Sequence, residues 1–392
     1  MQHILYTLSA SITLAVLIVF NVNGQNGTEP NSTLMASDTV DVAFLPALAY
    51  NSDMGLIGGG LMSRYHFKGN TLPFYSFLNI NAIASTKGLL SVSILYDKPN
   101  LFSNRNRLTS EVYVSRFLEN QYYGIGRYDK LPDPPADNPD YYFYKSFISG
   151  VEVIFRQPLR QKDRFRSGLD LYGALNIEFR TNFGKNSDRL ITLEQPLGTD
   201  DFRTVALGTG LIWEGRDNEF DPTKGGYAKM GTELARNYLG STTNYLKISS
   251  EIRSYVSFHI LRRVTWANRL SYIHSSGTLP YWQLPELGGE VTLRGYPENR
   301  FRDDNAVFVN SELRTWLIEF PDYEVKLGGT IFVDAGRTFP NCATFNNVVN
   351  DIKYAYGFGG TSSFFNKNFI LRGDIGFSDE GYGIYFTAGY MF

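Results

Sequence analysis

From about Thr39 to Phe392 the chain runs in segments of roughly ten residues that alternate apolar with polar or small side chains, parted by Gly, Asn, Asp and Pro turns. A period of two commits such segments to strands with two unlike faces. Between Tyr323 and Asp334, one face carries Tyr323, Val325, Leu327, Gly329, Ile331 and Val333, and the other Glu324, Lys326, Thr330, Phe332 and Asp334. Leu169 to Arg180 repeats the pattern: Leu169, Leu171, Leu175, Ile177 and Phe179 oppose Asp170, Asn176, Glu178 and Arg180. Leu246 to Val256 and Phe369 to Phe377 follow it too. A soluble β-sandwich also alternates, so periodicity alone leaves two classes open. Charges set opposite strongly apolar faces fit an aqueous interior ringed by lipid, the pattern of a transmembrane barrel. The 26 Tyr and 29 Phe favour the barrel again, because aromatic girdles mark both lipid interfaces. A helical membrane protein is excluded beyond the first two dozen residues, where no run of about 18 apolar residues occurs.

The segments fall near 40–50, 55–67, 74–86, 88–101, 108–124, 141–159, 165–182, 202–217, 226–239, 243–258, 264–277, 305–320, 323–339, 353–366, 369–380 and 382–392. The predicted fold is therefore an all-β, antiparallel transmembrane barrel of about 16 strands, with residues 39–392 as one barrel domain and no internal boundary. If the first strand rises from the periplasm, odd-to-even connections lie outside the cell. Ile125–Asp140, Thr278–Asp304 and Pro340–Ile352 are the long ones, while Gly184–Asp201 and Arg160–Arg164 read as longer exceptions among short periplasmic turns. The last strand places Tyr382, Ile384, Phe386, Ala388, Tyr390 and Phe392 on one face and ends the chain on an aromatic residue.

Ahead of the barrel, Ile4 to Val22 is mostly apolar and gives way to small and polar residues at Val22-Asn23-Gly24-Gln25. Residues 1–24 read as a secretory signal peptide without a basic start, an uncleaved anchor being the other reading, and residues 25–38 as a short polar segment. Export and a barrel together predict the bacterial outer membrane, with its lipid as the first partner.

Composition also narrows the chemistry. A net charge of -2 suggests no attraction to nucleic acid. The lone Cys342 cannot form an internal disulfide, and no Cys/His cluster has zinc spacing, so neither metal nor cofactor is expected. His274-Ser275-Ser276 lacks a GxSxG context, and neighbours in a strand point to opposite faces, so the expected protein is not an enzyme. Pro132-Asp133-Pro134-Pro135-Ala136-Asp137 reads as a solvated loop sooner than a calcium site.

Three separated segments carry a family resemblance. Leu287-Gly288-Gly289-Glu290-Val291-Thr292-Leu293-Arg294-Gly295-Tyr296 contains an Arg-Gly-Tyr core in the sixth outer loop, Ile331-Phe332-Val333-Asp334-Ala335-Gly336 a Phe-x-Asp-x-Gly strand, and Gly215-Arg216-Asp217-Asn218 with Pro222-Thr223-Lys224-Gly225 a turn after the eighth strand. In that order and spacing they resemble the BamA-type outer-membrane assembly and bacterial surface antigen superfamily, which includes barrel assembly factors and two-partner-secretion transporters. The resemblance implies that the loop folds back into the lumen. Strand parity puts Asp334, Glu312 and Arg314 on the lumen face, and a guanidinium can hold a carboxylate bidentately. Arg294, Gly295 and Tyr296 with Asp334 and Glu312 are thus the candidate loop clasp; without the resemblance, Arg294 reads as a solvated loop arginine and Asp334 as a hydrated lumen acid.

Family members typically carry periplasmic POTRA domains before the barrel. Residues 25–38 are too few to fold alone, so the chain resembles a bare-barrel subgroup, and a protein partner is expected to supply periplasmic docking. The implied function is assistance in outer-membrane protein insertion or export. The candidate joint is the seam between Thr39–Tyr50 and Tyr382–Phe392, with Pro46, Tyr390 and Phe392 as its marked residues: Pro46 removes a ladder donor, which either weakens the seam or falls where the loss costs nothing. A passive pore or an anchoring scaffold for a partner protein is the alternative function.

Overall fold

Alternation becomes architecture when each strand finds two neighbours and no edge is left over. The computed structural model describes residues 38–68, 74–102, 106–161, 167–320, 325–363 and 370–392. The segment read as signal peptide, the polar residues to 37, and Tyr323, Glu324 and Phe369 lie outside them. The strands are β1 (Thr39–Asn51), β2 (Gly55–Phe67), β3 (Ser76–Ser85), β4 (Leu90–Leu101), β5 (Asn106–Gln121), β6 (Phe143–Gln161), β7 (Ser167–Phe183), β8 (Phe202–Glu214), β9 (Gly225–Ala235), β10 (Tyr245–His259), β11 (Arg263–Gly277), β12 (Glu286–Leu287), β13 (Phe301–Arg302), β14 (Asn305–Phe320), β15 (Val325–Phe339), β16 (Lys353–Ser363), β17 (Ile370–Ser378) and β18 (Gly381–Ala388). All but β12 and β13 form one closed antiparallel barrel in chain order, sixteen strands around. The remaining two make a small hairpin, Glu286↔Arg302 and Leu287↔Phe301, within the loop between β11 and β14.

The faces are inverted relative to a water-soluble protein. On β15, Ile331 and Val333 are 57% and 52% exposed, whereas Phe332 and Asp334 between them are 3% and 0% exposed. Outward side chains meet lipid; inward ones meet a charged lumen. Burying those charges is tolerable only because they are paired: Arg156 with Asp170 at 2.6 Å, and Arg253 and Arg269 on either side of Glu251 at 2.6 and 2.8 Å. No helix among the described residues is long and apolar enough to cross a membrane, so the strands do the crossing.

The connection 184–201 does not lie where the sequence reading put it. It joins β7 to β8, an odd-to-even pair, and packs on the rim that also carries 122–142 and 278–304. Leu190 N donates to the Tyr141 carbonyl, Arg189 pairs with Asp140 at 2.9 Å, and Tyr281 N donates to the Leu197 carbonyl. Tyr122, Tyr123, Tyr142, Tyr144, Leu190, Ile191 and Tyr281 bury one another there, an apolar dome closing the long-loop end. Loop length is what misled: length does not say which rim a connection serves, but counting strands does.

The C-terminus is the second correction. β18 ends at Ala388, Gly389 turns the chain with φ +83°, and Tyr390 to Phe392 leave the wall for the lumen. Met391 and Phe392 are buried against Tyr255 and Ala267, and the Arg314 guanidinium lies 4.0 Å from the Tyr390 ring centroid and donates to the Phe392 carboxyl oxygen. Alternation predicts strand to the last residue; a cation over an aromatic ring and a buried contact with Tyr255 and Ala267 across the lumen hold the tail instead.

Candidate functional site

Arg294 sits at the tip of the β11–β14 loop, folded into the lumen and fully buried. Its Nε donates to Asp334 Oδ2 at 2.8 Å and its Nη2 to Asp334 Oδ1 at 2.9 Å, the bidentate fork that suits a planar guanidinium. Its Nη1 reaches Glu312 Oε1 at 2.7 Å and Asp374 Oδ2 at 2.9 Å. The backbone N of Arg294 adds a bond to Asp334, and the guanidinium lies 3.3 Å from the centroid of the Phe332 ring. One cation therefore ties the loop to β14, β15 and β17. Two further arginines balance the three carboxylates: Arg314 donates to Glu312 at 2.7 Å and Arg372 to Asp374 at 3.1 Å.

The loop approaches the wall closely because glycines face each other. Gly295 has φ +95°, and a Cβ on it would lie 2.8 Å from the backbone carbon of Phe377. A Cβ on Gly376 of β17 would lie 2.8 Å from the backbone carbon of Arg294. Tyr296 then donates its hydroxyl to Asp379 at 2.6 Å. Behind the tip, Leu287, Leu293, Tyr296 and Phe301 of the loop bury against Ala306 and Phe308 of β14 and Ala355 of β16. Gly376→Ala is expected to destabilise the seated loop by about 1–3 kcal/mol, as overpacking does, and to speed protease cleavage of the loop. Gly360→Ala in neighbouring β16, where a Cβ meets nothing within 4 Å, is the control expected to change neither.

The structure thus brings together Arg294, Gly295, Tyr296, Asp334 and Glu312. Sequence reasoning missed Asp374, Arg372, Gly376 and Asn310, which donates to Asp334 at 2.9 Å. Strand parity over Phe369 to Phe377 could have offered Arg372 and Asp374 as lumen residues, but nothing local says that β17 is the wall facing the loop tip. Pro46 lies apart from this cluster, on the stretch of β1 registered with β2 alone, opposite Gly60. Tyr390 and Phe392 meet the clasp network through Arg314. The turn after β8 is built around Asp217, which accepts from Thr223 N at 2.9 Å and Thr223 Oγ1 at 2.5 Å. Burial pushes the Asp217 carboxyl up, but the bonds from Thr223, Lys224 and Asn218 outweigh it and hold it below its usual value. His274 Nδ1 contacts Asn305 Oδ1 at 2.7 Å, while Ser275 Oγ donates to the Asp304 carbonyl.

The wall is not uniformly closed. β1 and β2 register from Thr39↔Phe67 to Asn51↔Gly55 without a break. Among the described residues, β1 registers with β18 only at Asn51↔Tyr385, next to the bond from Ser52 N to the Ile384 carbonyl.

An inverted antiparallel barrel, its lumen entered by one of its own loops and closed by a short seam, defines a transmembrane barrel of the outer-membrane class. The chain belongs to the Omp85 superfamily: the signature of the Omp85 superfamily domain matches residues 76–390. Membership places it in the bacterial outer membrane. Among solved structures, it is similar to BamA from Haemophilus ducreyi lacking POTRA domains 1–3, with a TM-score of 0.60 and 15% identity over 90% of this chain and 71% of that one. It is likewise similar to CdiB from Acinetobacter baumannii (TM-score 0.55, 14% identity, 90% of this chain and 65% of that one) and to CdiB from Escherichia coli (0.60, 13%, 91% and 64%). The chain thus spans just under two thirds of either CdiB chain. Identities this low speak for the fold. No curated protein sequence matches it significantly.

Proposed function

We propose that this barrel inserts or exports protein substrates across the outer membrane by opening between β1 and β18, and that it works with a partner protein that supplies docking on the periplasmic side. In this reading residues 1–24 direct export and are removed. The observation that carries it is the seam: a single registered pair, Asn51↔Tyr385, leaves most of β1 with one neighbour. A strand edge with free N–H and C=O groups is a template for another strand, and Pro46 lies within that stretch. The clasped loop inside the lumen and the apolar cluster at the long-loop rim support this reading over a passive pore.

A lock on the seam tests it. Ser52 N donates to the Ile384 carbonyl at 3.1 Å and Ile384 N to Ser52 Oγ at 2.9 Å, so the two backbones are adjacent. Ser52→Cys with Ile384→Cys, in a Cys342→Ser background that removes the exposed native thiol, is expected to cross-link without unfolding the barrel. The oxidised protein should fail to complement loss of the native gene, and reduction should restore it. Full function in the cross-linked state would remove the opening seam.

A further inference from the structure

The two residues that form the single seam pair among the described residues are both gripped by the internal loop. On the β1 side, Asn51 Nδ2 donates to Glu290 Oε2 at 3.0 Å, and Glu298 N donates to Asp53 Oδ1 at 3.1 Å. Asp53 N in turn bonds Asn51 Oδ1 at 2.8 Å, so the turn after β1 is one unit. On the β18 side, Gly295 N donates to the Tyr385 hydroxyl at 3.0 Å. The turn leading into β18 is held as well, through Tyr296 to Asp379 at 2.6 Å and Arg300 to Glu380 at 2.6 Å. The loop therefore spans the joint, with one set of bonds to each edge.

We propose that the β11–β14 loop is the latch of the seam, tying β1 to β18 across the joint, and that it lets go when the carboxyl groups of Glu290, Glu298 and Asp53 lose their protons. This rests on the reading that the seam opens. The charges around the latch do not balance as those of the clasp do. Asp53, Glu286, Glu290 and Glu298 converge from the turn and the loop, Asp374 faces them from β17, and the phenols of Tyr123 and Tyr385 stand beside Asp53. The cations in reach are Arg302, Arg372 and Lys87, and each has a partner: Glu286, Asp374 and the Ser52 carbonyl. Burial, with Asp53 adding to it against the pull of Arg372, pushes the Glu290 carboxyl up to about 8. Burial and then Asp53 and Glu286 raise Glu298 well above the carboxylate range, and burial raises Asp53 despite the bond from Glu298 N.

The sign follows from linkage. A carboxyl that holds its proton more tightly when latched than when released stabilises the latch fully at pH below its ordinary value, and that stability is lost as pH rises through the raised one. The seam should be closed in acid and loosen as pH rises through about 6 to 8, where Asp53 and Glu290 give up their protons.

Spin labels at Tyr50→Cys on β1 and Tyr354→Cys on β16, both exposed, in a Cys342→Ser background, lie three strand spacings apart across the wall and six residues apart along it, about 25 Å. Electron–electron resonance on the barrel in lipid nanodiscs should give one short distance at pH 5.5. A longer population should grow with pH, its ratio to the short one rising at least about tenfold by pH 9, as a carboxyl that binds its proton tenfold more tightly in the latched state requires. Glu290→Gln with Glu298→Gln keeps an acceptor for Asn51 and removes two of the three titrating carboxyls, so it should lose most of the response and keep only the part due to Asp53; Glu290→Gln alone should lose less. A distance that ignores pH in the wild type, or an equal response in the Gln variants, overturns the latch. Because no substrate is present, that outcome beside a successful seam lock would leave the opening seam standing, whereas a failed lock beside a pH-dependent distance would remove the function and keep the latch.

Discussion

Arg294→Ala is expected to release the internal loop, with a loss of about 3–5 kcal/mol from the folded barrel, the usual result of removing one partner from a buried ion network. The alanine leaves Asp334, Glu312 and Asp374 with only Arg314 and Arg372 to face them, one uncompensated charge in a site where all these carboxylates are buried. Asp334→Ala should cost less, because Arg294 keeps Glu312 at 2.7 Å and Asp374 at 2.9 Å. The double variant should be close to Arg294→Ala alone, since partners in one network do not add. Lysine at 294 should fall near alanine: a single ammonium cannot form the fork to Asp334 and still reach β14 and β17. Urea unfolding of the refolded barrel and protease cleavage within 278–304 read both effects. Additive single effects, or a loop in the wild type that proteases enter freely, would make the loop an ordinary surface segment.

Phe392→Ala separates two roles that one residue holds. As the last aromatic of the alternating segment 382–392 it is expected to guide assembly; as a lumen side chain 4% exposed it also packs with Tyr255, Ala267 and Met391. Truncating a buried Phe costs about 3–5 kcal/mol, so the purified and refolded variant should unfold at lower urea as well as reach the membrane in lower yield. Arg314→Ala tests the anchoring of the tail, together with the loss of one cation from Glu312, which Arg294 still holds at 2.7 Å. It frees the tail from the guanidinium above Tyr390 but leaves the terminal residues intact, so insertion yield should be maintained while carboxypeptidase reaches the C-terminus. Unchanged unfolding of refolded Phe392→Ala would show that the aromatic serves assembly only, and protection of the tail in Arg314→Ala would remove the anchor.

The sequence by itself determined the fold class and the contents of each face. With a period of two, every side chain's face follows from its parity, and that argument reached Asp334, Glu312 and Arg314 before any contact was known. Charges that must avoid lipid leave the lumen as their place, so the acidic half of the candidate clasp was legible in one strand at a time, whereas Arg294 joined it only through the family resemblance. The tertiary structure alone decided which walls meet. Asp374 joined Arg294 because closing the barrel curves β17 around toward β14 and β15, a relation between residues 80 positions apart that no local pattern encodes. It decided that 184–201 packs against 278–304, where Tyr281 N meets the Leu197 carbonyl, a contact between loops that no count of strands supplies. It decided as well that Tyr390 to Phe392 turn inward: alternation rewards a strand there, but a strand needs a neighbour, and β1 meets β18 only at its last residue, so the tail satisfies itself against Arg314 across the lumen.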